Sequence, residues 1–167
     1  VAFLLSAVAP GTGQLYVGSG RGYLYLLAEA GLVVGYLLTH RDAADVRDDY
    51  VEAVKAGVRF DGPGGFDTWN MEDFEHATLF ENWHNVYTDD GGEPLDRVGK
   101  FFWNEDFKDY DPEAGDQIPA TSVRLQALGL RVASNDKFKT ARRFLGVMLF
   151  NHLVSAIDAR ISARSGP

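Results

Sequence analysis

Three apolar segments, each short for a bilayer crossing, bracket a strongly acidic stretch, and that arrangement limits this chain more than any motif in it. The first segment, residues 2–16, is interrupted by Pro10, Gly11 and Gly13. Proline and glycine break or kink a helix. About 20 apolar residues make a comfortable span, so this one is expected to be re-entrant, interfacial or half-inserted. The second, residues 23–39, is flanked by Arg21, His40 and Arg41. As a helix it reaches about 26 Å, enough for a thin or snorkelled crossing. The third, residues 144–157, follows Arg142 and Arg143 and precedes Asp158 and Arg160. It is shorter still, and snorkelling arginines would extend it. Segments this short and polar fit better inside a bundle or larger assembly than alone in lipid.

Charge follows the same division. Residues 42–136 carry 22 acidic and 8 basic side chains, whereas residues 1–41 and 137–167 together carry 2 acidic and 8 basic. Basic, apolar ends around an acidic middle suit membrane segments bracketing a solvated domain, because Lys and Arg are favoured beside anionic headgroups. The expected organisation is an N-terminal membrane hairpin (1–41), an acidic extramembrane domain (42–136), and a C-terminal membrane helix and tail (137–167). The expected class is all-α, with two to three short membrane-embedded helices. Phosphate would repel the acidic domain, which argues against nucleic acid as a partner. With no cysteine, disulfides and thiolate chemistry are excluded and the redox compartment is left open. Ala7-Val8-Ala9 looks like the end of a secretory signal, but Pro10 directly after it hinders cleavage.

Within the acidic region Val46, Tyr50, Val54 and Val58 recur every four residues and predict an amphipathic helix over 43–59. Turn chemistry at 61–65 ends it. Asn70 is placed to cap a helix running to about His84, with Glu72 and Asp73 in its first turn. A loop at 89–92, a short helix around Leu95, Val98 and Phe102, and an acidic loop at 109–116 follow. A last helix is expected to start near Pro119. A pause at Ser134-Asn135-Asp136 would precede its entry into the third apolar segment.

Residues 10–18, Pro-Gly-Thr-Gly-Gln-Leu-Tyr-Val-Gly, resemble a recurrent bacterial pattern, Pro-Gly-x-Gly-Gln-x-Tyr-x-Gly. Two further stretches share the resemblance. One is Val98-Gly99-Lys100-Phe101 with the aromatic and acidic residues to Asp111. The other is 131–159, with its more specific Asn151-His152-Leu153-Val154-Ser155-Ala156-Ile157-Asp158-Ala159. The chain thus resembles an uncharacterised family of small bacterial membrane proteins, a domain of unknown function. The resemblance implies a membrane fold and transfers no catalytic residue; the expected location is a bacterial membrane, the inner (cytoplasmic) one.

Several residue groups were weighed for chemistry. The glycines from Gly11 to Gly22 lack the Gly-Lys-Ser/Thr of a phosphate-binding loop and read as a tight turn built on Pro10, Gly11 and Gly13. Gly31 and Gly35 form a Gly-x-x-x-Gly that lets two helix backbones approach. Glu29 lies in the second apolar segment with Tyr25, Tyr36 and His40 at helical spacing. Asn151, His152, Ser155 and Asp158 form a similar patch on the third. An ionisable group at such depth needs a partner, so Glu29 is expected to bond His152 or Asn151. A proton or ion path and a haem or chlorin ligated by His152 are the functional alternatives. Glu72, Glu75, His76, Glu81 and His84 give one Glu-x-x-His, where di-iron bundles need two, so a solvated face is expected. Asp106, Asp109, Asp111, Glu113 and Asp116 lack the EF-hand order. Trp69, Trp83, Trp103, Phe101, Phe102 and Tyr110 either pack a small core, sit at an interface or meet a partner.

No catalytic triad, zinc motif or dinucleotide fingerprint is present, and no cofactor or metal site is expected. Basic residues are more numerous at the domain-side ends of the spans, which the positive-inside rule would place in the cytoplasm. The reading that follows is a non-catalytic accessory or scaffold subunit whose partners are the lipid bilayer and other membrane protein subunits. Its alternatives are a small transporter or ion-conducting homo-oligomer using Glu29 and His152, and a soluble enzyme whose apolar helices form its core.

Overall fold

The computed structural model describes residues 1–60, 62–79, 101–103 and 122–165. Helix accounts for about 85% of them, so the class is all-α with one short strand ladder. The order is α1 (Ala2–Val8), α2 (Thr12–Tyr16), α3 (Gly22–Gly57), β1 (Val58–Phe60), a single 3₁₀ turn (Gly65–Thr68), α4 (Met71–Leu79), β2 (Phe101–Trp103) and α5 (Ser122–Ser165). The chain falls into two compact units. One comprises residues 1–44 with 135–167, the other residues 45–134.

The helices carrying the second and third apolar segments are long, not short. The predicted breaks do not occur. The expected helices over 23–39 and 43–59 are one helix, α3, of 36 residues. Hydropathy changes sharply after Thr39, but the backbone meets no Gly or Pro there, and Ala43 and Ala44 are strong helix formers. Asp42, a possible cap, is instead paired with Lys137. The predicted pause at Ser134-Asn135-Asp136 is absent as well, and α5 runs unbroken for 44 residues. The Asp136 carbonyl accepts the Thr140 hydroxyl at 3.0 Å and its carboxylate pairs with Lys139 at 3.0 Å. These polar side chains bond forward along the helix and cap nothing. By length and composition, α3 and α5 can each cross a membrane.

Unit 45–134 has an ordinary apolar interior. Tyr50, Val54 and Val58 from the four-residue stripe are fully buried with Phe74, Trp103 and Ala127. Tyr50 keeps its hydroxyl partnered, bonding the Phe74 carbonyl and the Thr78 hydroxyl, each at 2.8 Å. The Trp103 indole donates to the Ala77 carbonyl at 2.8 Å. Trp103 also restricts the last residue of α3. A side chain at Gly57 would come within 2.5 Å of the Trp103 ring, and β1 follows directly. That strand pairs antiparallel with β2 in the register Val58↔Trp103, Arg59↔Phe102 and Phe60↔Phe101. The short helix predicted through Phe102 therefore gives way to a strand at its C-terminal end, as suits a Phe-Phe-Trp run.

Asn70 caps α4. Its Oδ1 accepts the backbone N–H groups of Glu72 (2.7 Å) and Asp73 (3.2 Å), while the Asp73 carboxylate accepts the Asn70 N–H at 2.8 Å. This reciprocal arrangement satisfies the first-turn donors. Phe60, Phe66, Trp69 and Phe74 gather with ring centres 5.0–6.2 Å apart. Glu75 pairs with Arg131 at 3.3 Å. Glu81, Trp83, His84, the loops at 89–92 and 109–116, Tyr110 and Pro119 lie outside the described residues, as do the acidic cluster from Asp106 to Asp116 and residues 95–100.

Burial raises the Tyr50 pKa above 10.0, with the Thr78 bond working the other way. A raised folded value means the folded state holds the phenol proton more tightly than the unfolded chain does. That contribution is complete below the unfolded pKa and is lost as pH rises through the folded one. Tyr50→Phe is expected to cost about 0.5–1.5 kcal/mol through the lost hydroxyl bonds, the Phe74 carbonyl keeping the Thr78 hydroxyl, and to flatten the alkaline loss of stability. Denaturant melts of the full chain, followed by tryptophan fluorescence across alkaline pH, would check both.

Candidate functional site

Unit 1–44 with 135–167 is organised around a break in the backbone. In a continued helix the Gly11 N–H would bond to the Ala7 carbonyl. Pro10 has no N–H to give and its ring obstructs the helix, so α1 ends at Val8 and both groups lose their partners. Helix α5 supplies replacements. The Gly11 N–H donates to Ser155 Oγ at 2.8 Å, and the Ala7 carbonyl accepts from His152 Nδ1 at 2.9 Å. One turn on, the Gly13 N–H donates to Ser6 Oγ at 2.9 Å.

Gln14 joins these pieces. Its Oε1 accepts the Ser6 hydroxyl at 2.7 Å, and its amide donates to the Ser155 carbonyl at 2.8 Å and to Asp158 Oδ2 at 3.0 Å. Ser6, Gln14 and Ser155 are fully buried, and each is hydrogen-bonded, as buried polar groups must be to avoid a large desolvation cost. At the outer end Arg21 pairs with Asp158 at 3.0 Å and donates to Ser162 Oγ at 3.0 Å.

The glycines permit the close fit. Gly11 has a φ of +92°, and a side chain there would strike the Gly22 carbonyl. Gly13 departs from its expected place in the turn: it lies inside α2. Its role is contact, since a Cβ would collide with the Ala2 carbonyl and come within 2.6 Å of Ser6 Oγ. The turn itself is Pro10 and Gly11.

Further along the seam, Glu29 meets two polar residues of the third segment. Asn151 Nδ2 donates to Glu29 Oε2 at 2.9 Å and reaches the Tyr25 carbonyl at 3.4 Å, while His152 Nε2 lies 3.1 Å from Glu29 Oε1. Both His152 ring nitrogens are thus engaged, and a haem or chlorin metal would have to displace one bond. Gly35 faces the Phe144 ring, where a Cβ would approach to 2.6 Å; Gly31 has nothing within 4 Å. Tyr36, His40 and Phe138 stack in sequence with centres 5.3–5.5 Å apart. Among the described residues no group of three or more His, Asp or Glu is placed to hold a metal.

The burial pattern of this unit is inverted relative to a soluble core. Its buried side chains are small or polar: Ala2, Ser6, Gln14, Ala43, Ala141, Ser155, Ala156, Ala159 and Ser162. Its large apolar residues point outward, among them Leu24, Leu27, Leu38, Leu149, Phe150 and Ile157. Only 6% of the most apolar stretch of α3 and 17% of that of α5 is buried.

Glu29, Asn151, His152 and Ser155 were singled out from sequence as intramembrane polar residues. Ser6, Arg21 and Ser162 were missed, and Gln14 entered only inside the glycine-rich run. The signal was present on α5, where 151, 152, 155, 158 and 162 share one helical face. Comparison with known family models, curated proteins and solved structures finds no match.

Ser155→Ala leaves the Gly11 N–H buried without its partner and is expected to destabilise by about 1–3 kcal/mol. Gln14→Leu strands Ser6 and removes two links to α5, so it is expected to cost more. A Gln14/Ser155 double-mutant cycle, read by denaturant titration of the full chain in detergent, should show coupling; additivity would mean the two act separately.

Proposed function

We propose that this chain is an integral membrane protein of the bacterial inner membrane, acting as a non-catalytic accessory or scaffold subunit of a larger membrane complex. The inverted burial of unit 1–44 with 135–167 carries this reading. Lipid tails solvate Leu and Phe as well as a protein core does, so helix contacts in a bilayer favour small residues and shared hydrogen bonds. Non-helical backbone at membrane depth is tolerated only where protein buries it, and the Pro10-Gly11 end of the break is buried, with the Gly11 N–H bonded to Ser155 of α5. The apolar belt between Arg21 and Arg41 on α3 is about 27 Å long, near a bilayer's hydrocarbon thickness. Exposed Tyr16 and Tyr23 lie toward one end, and Tyr36, His40 and Phe138 toward the other. Aromatics concentrate at such depths.

The subunit role is favoured because the polar seam is spent on internal bonds, which leaves apolar sides of α3 and α5 to pack against other membrane subunits. The Pro-Gly-x-Gly-Gln-x-Tyr-x-Gly run and the Asn-His-x-x-Ser-Ala-x-Asp-Ala run add the resemblance to uncharacterised bacterial membrane proteins. An energy-transducing complex, photosynthetic or respiratory, and an envelope assembly are the candidate hosts. Native membranes extracted in mild detergent, then separated natively and analysed by mass spectrometry, should show the chain travelling in stoichiometric amounts with other subunits. A stable monomer with no partner lost would remove the subunit role, and solubility without detergent would remove the membrane reading.

The Glu29–His152 contact supports a second reading, a small transporter or ion-conducting homo-oligomer. In reconstituted vesicles Glu29→Gln should then abolish ion flux, and unchanged flux would remove that reading.

A further inference from the structure

We propose that Glu29, His152 and Asn151 form a proton-binding site, in which one proton is held between Glu29 Oε1 and His152 Nε2. The numbers of donors and acceptors at the site require it. A backbone carbonyl only accepts, so the Ala7 carbonyl at 2.9 Å fixes the hydrogen of His152 on Nδ1. In a neutral imidazole that leaves Nε2 bare. An ionised carboxylate also carries no hydrogen. Yet Nε2 and Oε1 lie 3.1 Å apart in line for a hydrogen bond. Two bare lone pairs at that distance repel, so the contact requires one further proton.

Asn151 settles which carboxylate oxygen shares it. The Nδ2 group faces two acceptors, Glu29 Oε2 at 2.9 Å and the Tyr25 carbonyl at 3.4 Å, and both of its hydrogens are committed to them. Oε2 is therefore held as an acceptor, and the shared proton belongs to Oε1. With it in place the pair is either an imidazolium beside a carboxylate or a neutral imidazole beside a carboxylic acid. Both forms have zero net charge. Without it the pair carries one negative charge in the apolar belt, where an uncompensated ion is costly. The site takes up a proton with no net charge left over, which a lone His152 could not do.

Among the described residues no other ion acts on the pair. Helix α1 contributes the Ala7 carbonyl and has no ionisable side chain. On α3 the adjacent ionisable group is Tyr25, and on α5 it is Asp158, already paired with Arg21 at 3.0 Å. The site rests on the membrane reading only for the cost of its unprotonated form; its hydrogen-bond count stands without a bilayer.

The test uses the full chain in mild-detergent micelles. Histidine-selective nitrogen NMR near neutral pH would be combined with carboxyl-labelled glutamate, and the His152 signals assigned from a His152→Gln spectrum. The expected result is that both His152 ring nitrogens bear or share a proton. In Glu29→Gln, whose amide can donate to Nε2, that nitrogen should become an acceptor. A bare Nε2 in the wild type, or a spectrum unmoved by Glu29→Gln, would overturn the proposal. Should that variant fail to fold, the wild type decides alone. The Glu29 carboxyl and His152 Nε2 signals should move together at one midpoint on alkaline titration, as a coupled pair does, and two separate midpoints would overturn it. A need for detergent combined with independent titration would sink the proton site and leave the membrane reading standing.

Discussion

Two backbone groups set free by Pro10 determine how the N-terminal part of this chain is built. The Ala7 carbonyl and the Gly11 N–H cannot bond each other across the break; the Gly11 N–H is buried against Ser155, and the more exposed Ala7 carbonyl accepts from His152. An unpaired buried amide costs about 1–3 kcal/mol. The residues that answer them, His152 and Ser155, are three apart on α5 and so project from one face. Placing those two side chains fixes the rotation of α5. Fixing that rotation then places Asn151 toward α3, and Asp158 and Ser162 toward Arg21. The seam is one consequence of one proline.

The two units follow opposite rules of inside and outside. In residues 45–134, burial goes to Tyr50, Val54, Val58, Phe74 and Trp103, the choice water imposes on a core. In residues 1–44 with 135–167 it goes to Ala, Ser and Gln, while Leu and Phe are exposed. In water that second arrangement leaves the large apolar faces of α3 and α5 uncovered, so the hydrophobic effect within the unit contributes little to its assembly. What remains to hold it is close packing between small residues and the hydrogen bonds of the seam, and those are the forces that operate between helices in lipid.

Much of this was legible in the sequence because it rests on local signals. The proline–glycine break, the Tyr50–Val54–Val58 stripe and the Asn70 cap each follow from a residue type at a fixed spacing. The polar residues Glu29, Asn151, His152 and Ser155 stood out because apolar runs make them conspicuous. The continuity of α3 and α5 is not legible in the sequence, because the fall in hydropathy after Thr39 and the capping residues Ser134-Asn135-Asp136 look like helix ends, and neither fixes φ and ψ. Strand β2 was misread because three aromatics carry no period. Ser6 and Gln14 were passed over since short polar residues near glycines look like loop chemistry. Their importance depends on α5, more than a hundred positions away in the chain.

Magnitudes decide which contacts hold the seam. The Arg21–Asp158 pair is the most visible, yet the Arg21 side chain is 60% exposed, and exposed pairs contribute about 0–1 kcal/mol. The Gln14 bonds are uncharged and less conspicuous, but they join three fully buried residues, and breaking any one leaves another buried group unpaired. That asymmetry makes Gln14 the pivot of α1, α2 and α5 and leaves the salt bridge to set the depth of the outer end. Glu29 stands between these cases. It is charged or acidic in an apolar length of helix, so its presence is tolerable only because Asn151 takes one oxygen and His152 the other. A purely structural seam could have closed with an amide at that position, as Gln14 does elsewhere. A titratable pair in its place gives the unit a group whose protonation its fold requires and whose chemistry its packing does not.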